Sequence, residues 1–315
     1  MNKQLISIVI PAYNETGNIE YIYSSISKVF SKINFPFEVI FVNDGSTDDT
    51  RQKIGNLAKD HKNIKLLDFS RNFGKEIATT AGIHHAVGDA IIILDADGQH
   101  PVKLIPEFIK LWNQGNKVVV GVRKNSAKDN LLKKQGSKLF YKLFNKFSGV
   151  SLIPGSTDFR LIDKEVQESF IKLNEQDRIT RGLIDWLGYK REYIYFSALD
   201  RHNGEATYTP KKLILLAMNS FVSLSFAPLF LFGYIGIFIT SLSFLCGLFV
   251  LVEQYILSDP MGLNITGTAS LGILILFAVG VLLVSQGMIA VYISKIYAES
   301  KRRPLFLIDK SQSIL

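Results

Sequence analysis

From its first residues the chain alternates short apolar runs with longer stretches of helical patterning. Leu5–Ile10, Phe37–Val42, Ile64–Phe69, Ala90–Leu94 and Lys117–Val122 each have the length and composition of a buried strand. Segments of helix length lie between them, at about 15–32, 48–60, 74–87 and 101–114. Asn14 and Thr47 stand where caps for the first two are expected. This alternation predicts an α/β fold with a mostly parallel sheet and helices on both faces.

Three of the strands end in conspicuous polar sequences: PAYNE (11–15), NDGS (43–46) and DADGQ (95–99). In open parallel sheets ligands bind beyond the C-terminal strand ends, so the coincidence is a functional signal. No G-x-G-x-x-G follows the first strand and no Walker A sequence occurs, which disfavours dinucleotide oxidoreductases and P-loop NTPases.

After residue 212 the pattern changes. Leu213–Val252 contains no Asp, Glu, Lys or Arg over forty residues, about 60 Å as one helix and twice the hydrocarbon thickness of a bilayer. The run is expected to break at Pro228, leaving a spanning segment at Leu229–Val252. The part before it carries Asn219, Ser220, Ser223 and Ser225 and suits an amphipathic helix in the membrane interface. A second span is expected from about Ala269 to Ile293. Lys211 and Lys212 precede the first apolar segment and Lys301, Arg302 and Arg303 follow the last, while the loop between the spans has no Lys or Arg. Basic flanks face the cytoplasm, so the crossings should be even in number: two.

The expected organisation is therefore a cytosolic α/β domain at 1–210, an interfacial helix at 211–227, a two-helix transmembrane hairpin at 228–293 and a cytosolic tail at 294–315. The opening MNKQLISIVIPAY has too short an apolar core for a signal peptide and runs straight into the first strand. With 47% hydrophobic residues in 315, the chain has ample material for one core and a membrane anchor. Cys246, alone and inside an apolar run, reads as a small hydrophobe and rules out an internal disulfide. The formal charge of +8 suits anionic lipid or phosphorylated ligands, and simple solubility accounts for it equally well.

Asp95 and Asp97, two like charges just past an apolar strand, are costly together unless a cation neutralises them. Mg²⁺ or Mn²⁺ does so with oxygen ligands shared with a substrate's phosphates. Gln99, a further step of two along, is placed to add a carbonyl oxygen. The same DADGQHP also suits a turn that caps the next helix at Pro101. Asp44 in VNDGS suits either a contact to ribose or a uracil ring, or an Asx turn with Gly45. Tyr13 is placed to flank a base, and Asn14 and Glu15 to start a helix.

Taken together, SIVIPAYNE, VNDGSTDDT, SRNFGKEIATTAG and DADGQHP, in this order and spacing, resemble glycosyltransferase family 2, with its Rossmann-like GT-A fold. More narrowly the chain is similar to the polyprenyl-phosphate glycosyltransferases, the relatives of dolichol-phosphate mannose synthase, and especially to bacterial bactoprenol glucosyl transferases. GSTDFRLID (155–163) and YAESKRRPLF (297–306) extend the likeness over nearly the whole length. The resemblance implies that Pro11, Tyr13, Glu15 and Asp44 hold the nucleotide of a sugar-nucleotide donor. It implies that Asp95, Asp97 and Gln99 hold a metal, Mg²⁺ or Mn²⁺, on the diphosphate, and that Asp158 is the catalytic carboxylate. Arg201 matches the arginine opening the family's R-x-x-G-x-[ST]-K-[YW] loop, here RHNGEATY, in which Ala206 and Thr207 depart from the pattern. The missing phosphate contact falls to Lys211 or Lys212, or is lost.

The implied reaction is inverting transfer of a sugar, glucose from UDP-glucose by subgroup, to the phosphate of a polyprenyl lipid such as undecaprenyl phosphate. GDP-mannose and a UDP-amino-arabinose derivative are the alternative donors. Arg123 and Arg201, and less strongly Lys133 and Ser137, are candidates for the lipid phosphate, against a solvated helix or strand-end position for each. Asp158 serves either as base or as a positioning group. The implied setting is the inner membrane, multi-pass, with both termini cytoplasmic, a homotetramer by resemblance and no nucleic-acid partner. A processive polysaccharide synthase is disfavoured because its Q-x-x-R-W sequence is absent, the nearest context being RGLIDWLGY. A non-enzymatic nucleotide-binding scaffold has no need of Asp95, Asp97 and Asp158 together. His84 and His85, adjacent on a helix, point different ways and read as packing; with His100 they do not make a metal set. The NIT sequon at 264–266 reads as chance.

Overall fold

The computed structural model describes residues 4–124, 153–176, 178–197, 199 and 267–315, with isolated helical positions between 234 and 252. The chain divides into two compact units, Met1–Leu215 with Arg303–Leu315, and Leu216–Arg302.

The first unit is a twisted sheet of seven described strands in the order β3-β2-β1-β4-β6-β5-β7. β1 (Ile6–Ala12), β2 (Phe37–Asn43), β3 (Ile64–Asp68) and β4 (Ala90–Ile93) are mutually parallel. β6 (Ser156–Asp163) inserts antiparallel between β4 and β5 (Val118–Arg123), and β7 (Arg191–Phe196) pairs parallel with β5 at the edge. All seven residues of β1 are buried, as expected of a central parallel strand covered on both faces.

Helices α1 (Ile19–Phe30), α2 (Thr50–Asp60), α3 (Lys75–His85) and α4 (Ile105–Asn113, after a 3₁₀ turn at Val102–Leu104) connect the first five strands. Lys164–Ile171 and Thr180–Trp186 form α5 and α6. α1 buries Ile19, Ile22, Tyr23, Ile26 and Phe30, a helical stripe that packs with α4 on one face of the sheet. On the other face α3 packs with α5 and α6. Gly82 lets α3 approach closely, because a Cβ there would overlap the side chain of Val9.

The first two helices start later than expected, and Asn14 and Thr47 are not their caps. Asn18 and Asp49 precede α1 and α2. Asn14 takes a left-handed conformation (φ 56°) and accepts from Thr47 N at 2.9 Å, while its own N–H donates to Ser46 Oγ at 3.0 Å. Both residues are spent tying the loop after β1 to the loop after β2. β6 and β7 lie outside the strands the hydrophobic pattern predicted, although β6 contains the family-like STDFR sequence.

The C-terminal segment returns to this unit. It runs antiparallel to β3, with Leu66 and Ile314 exchanging hydrogen bonds of 2.8 and 2.9 Å and Ser70 N donating to Leu307 O at 3.1 Å. β3 would otherwise be an open sheet edge. Phe306 stacks on Phe69 with centroids 5.5 Å apart and lies against the rings of His84 and His85, so these histidines are packing groups.

In the second unit, α7 (Gly267–Ser300) is one continuous helix of 34 residues, and Phe277–Ser300 within it is long and apolar enough to cross a membrane. It contains the expected second span and runs seven residues past its expected end. The expected interfacial helix and most of the first span lie outside the described residues.

Candidate active site

In the sheet order, β2 and β3 lie on one side of β1 and β4 on the other, so the connections diverge between β1 and β4 and leave a crevice at their C-terminal ends. The loops after β1, β2 and β4, joined by the loop after β3, line a cavity of about 360 Å³ there. Pro11, Tyr13, Glu15, Asp44, Asp95, Asp97 and Gln99 all line it. These seven residues, spread over 89 positions of sequence, converge because parallel strands place equivalent ends side by side.

Asp44 is buried at 3% exposure and turned toward the loop after β3. Its carboxylate accepts from Phe73 N at 2.7 Å and Gly74 N at 2.9 Å, and its carbonyl accepts from Asn72 at 3.1 Å. Burial raises its pKa, against the opposing pull of those two amides. Tyr13 is half exposed at the rim. Glu15 accepts from Asn18, and its N–H donates to Thr50 Oγ1 at 2.8 Å, which sets the start of α1 against that of α2.

β4 ends at Ile93, so residues 95, 97 and 99 lie past the strand, as expected. They form a turn: Gly98 is left-handed (φ 74°), Asp97 Oδ1 accepts from Gln99 N at 3.1 Å, and Asp95 N donates to His100 Nδ1 at 3.2 Å. The turn expected of DADGQHP is present, without a side-chain cap on the helix that follows, and all three side chains line the cavity. Gln99 O accepts from Leu199 N at 3.1 Å. His100 is buried, stacked on Phe159, and held neutral by burial that outweighs the attraction of Asp95.

Asp158, on β6 next to β4, meets this turn through a residue the sequence reading assigned no chemistry. Lys75 Nζ lies 2.6 Å from Asp95 Oδ1 and donates to Asp158 Oδ2 at 2.8 Å. Burial alone would lower the Lys75 pKa, but the charges of Asp95 and Asp158 outweigh it and raise the pKa well above an ordinary lysine's. Burial alone would raise Asp158; Lys75 first, then Arg181, outweigh it and hold the carboxyl well below the usual range. Behind Asp158, the buried Arg160 donates to Thr157 O and Arg181 O and pairs with Asp185 at 3.6 Å. A sign of Lys75 was present in the sequence: it opens α3, where the helix dipole disfavours a cation that has no acidic partner.

Arg123 ends β5 at the same sheet edge and is exposed; it does not line the cavity. Arg201, Lys133, Ser137, Ala206, Thr207, Lys211 and Lys212 lie outside the described residues.

Among the described residues no group of three His, Cys, Asp or Glu side chains makes a metal site by itself. A pair of carboxylates, Asp95 and Asp97, facing a cavity fits a hard divalent ion that takes its remaining oxygens from phosphate and water. Asp95 Oδ1 is buried and, apart from its ion pair with Lys75, makes no hydrogen bond, so it has capacity for such an ion.

Comparison with known proteins agrees with this picture. CsbB of Bacillus subtilis is 39% identical over 99% of this chain and 93% of its own. A prophage-derived bactoprenol glucosyl transferase of Shigella flexneri is 36% identical over 97% of this chain and 98% of its own. The solved structure of glucosyl-3-phosphoglycerate synthase from Mycobacterium tuberculosis with Mn²⁺, UDP and glucosyl-3-phosphoglycerate overlaps 70% of this chain and 78% of its own, at 18% identity and a TM-score of 0.48. The profile of glycosyl transferase family 2 matches residues 7–170, and the chain belongs to that family.

Proposed function

We propose that the protein is a membrane-bound inverting transferase that moves glucose from UDP-glucose to a polyprenyl phosphate, with Mg²⁺ or Mn²⁺. The observation that carries this reading is the convergence of the strand-end residues, the Asp95–Asp97 turn and Lys75 on one cavity, with Asp158 joined to them through Lys75. Similarity to bactoprenol glucosyl transferases over nearly the whole chain supports the lipid acceptor and the glucose.

In this reading Tyr13 flanks the nucleobase from the cavity rim, and Pro11 and Glu15 shape the wall beside the ribose. Asp44 acts chiefly by holding the Phe73–Gly74 main chain, which forms the opposite wall. Asp95 and Asp97, with Gln99, would hold the divalent ion, which supplies charge neutralisation for the departing diphosphate. Asp158 stays ionised through Lys75 and Arg181, and a carboxylate held so acidic is a poor proton acceptor. The acceptor needs none: a phosphomonoester with a second pKa of about 6 is mostly dianionic at neutral pH. Asp158 therefore orients, through Lys75, the cationic side of the site. Arg123, and beyond the described residues Arg201, Lys133 and Ser137, receive the lipid phosphate. Attack on the anomeric carbon opposite the diphosphate gives inversion. α7 anchors the chain in the bilayer that contains the acceptor, as the second crossing of a hairpin whose flanks are cytoplasmic, and the active form is a homotetramer.

The test is a panel of UDP- and GDP-sugars assayed in detergent with undecaprenyl phosphate and Mg²⁺. UDP-glucose is expected to be turned over fastest. Transfer from GDP-mannose or a UDP-amino-arabinose derivative instead would reassign the donor, and no transfer to the lipid from any of them would end this reading.

A further inference from the structure

Lys75 is the one cation among the described residues lining the cavity, facing Glu15, Asp44, Asp95 and Asp97. It joins two carboxylates on different parts of the fold, Asp95 after β4 and Asp158 on the neighbouring β6. The Lys75 ammonium makes an aligned hydrogen bond to Asp158 Oδ2 at 2.8 Å. Asp95 Oδ1 lies 2.6 Å from the same ammonium, and that buried oxygen has no other hydrogen-bond partner. The lysine is thus shared between the two acids, and Asp95 is the one of them that the metal reading also claims.

Its placement is also conditional. A cation on the first residue of a helix opposes the helix dipole, so Lys75 is stabilised there only by its acidic partners. Two carboxylates brought to one end of adjacent strands repel each other unless a positive charge stands between them. In the absence of a divalent ion that charge is Lys75.

Resting on the metal–diphosphate reading above, we propose that Lys75 is a positioning residue that occupies the metal's place at Asp95, gives up that carboxylate when the ion arrives, and remains on Asp158. Metal occupancy is thereby linked to the setting of Asp158: the ammonium shared between two acids becomes committed to one. The exchange is an ion-for-ion replacement at Asp95, with no bond made or broken.

The experiment is titration of the full-length protein in detergent with Mn²⁺ and no donor, following free Mn²⁺ by electron paramagnetic resonance. Wild type is compared with Lys75→Met, Lys75→Gln, Lys75→Arg and Asp95→Asn. Removing a competing like charge from beside the carboxylate is expected to tighten Mn²⁺ binding about tenfold in Lys75→Met and Lys75→Gln, with Lys75→Arg close to wild type. The same neutral variants are expected to lose at least about tenfold in kcat with donor KM changed less than about threefold, the pattern of an interaction that matters in the transition state. If the neutral variants bind Mn²⁺ no more tightly than wild type while Asp95→Asn abolishes binding, the metal reading stands and the role of Lys75 is overturned. If wild type and Asp95→Asn bind Mn²⁺ equally, or neither binds it, the metal reading falls and this inference with it.

Discussion

A single methyl group at position 45 would collide with the main chain of the loop that carries Asn72 and Gly74. Gly45 has φ 64°, and a Cβ there would lie 2.5 Å from Arg71 C and Asn72 N. The residue next to Asp44 is therefore glycine for two reasons: left-handed backbone and the close approach of the loop whose amides Asp44 binds. Gly45→Ala is expected to destabilise the protein by on the order of 2 kcal/mol and to raise the donor KM, read by thermal melting and initial rates. An unchanged melting temperature with unchanged donor binding would mean that the loop is free to move away. Asp97, which lines the same cavity, is a second probe of the metal reading beside Asp95. Asp97→Asn keeps the size of the side chain and removes its charge, and a loss of about 10²-fold or more in kcat is expected. Full turnover in this variant would show that the turn is structural only.

At the scale of elements, the C-terminal segment does what no local pattern announced. Residues 306–314 cover the β3 edge and bury one face of Phe306 against Phe69 and the end of α3. β3 leads directly into the loop that embraces Asp44 and ends at Lys75, so the tail steadies the root of that loop. Phe306→Ala is expected to cost about 2 kcal/mol, less than a fully buried phenylalanine because the ring is only partly covered, and to expose the tail to protease. Equal protease resistance in wild type and variant would mean that the main-chain pairing alone secures the segment. The antiparallel β6 is the other decisive element. By pairing with β4 it sets Asp158 beside the Asp95 turn, 63 residues away in sequence.

For the whole molecule, the membrane arrangement rests on charge and length. α7, at 34 residues and about 51 Å, exceeds the roughly 30 Å of hydrocarbon and has length to spare for tilt or for extension beyond the bilayer. Reporter fusions placed after Lys212 and after Leu315 are expected to report the same, cytoplasmic, side of the membrane. Reporters on opposite sides would require an odd number of crossings and would overturn the hairpin. Both the position of the C-terminal segment on the sheet of the first unit and the basic flanks favour a common side.

Hydrophobic patterning along the chain was enough for the α/β class, the first five strands to within a residue or two, and the carboxylates at the strand ends. The reason is local: strands buried on both faces must be short and apolar throughout, and polar residues can enter only where the strand leaves the core. The patterning also marked the apolar C-terminal region, because a membrane-spanning helix is read from composition alone. Which strand ends meet follows from the assembled sheet. It set β4 between β1 and β6, put Asp158 within reach of Lys75, turned Asn14 and Thr47 from helix caps into a bridge between loops, and closed the β3 edge with the tail. Each of these is a pairing between residues distant in the chain. No propensity or period encodes such pairings, because their free energy appears only once the sheet has assembled around them.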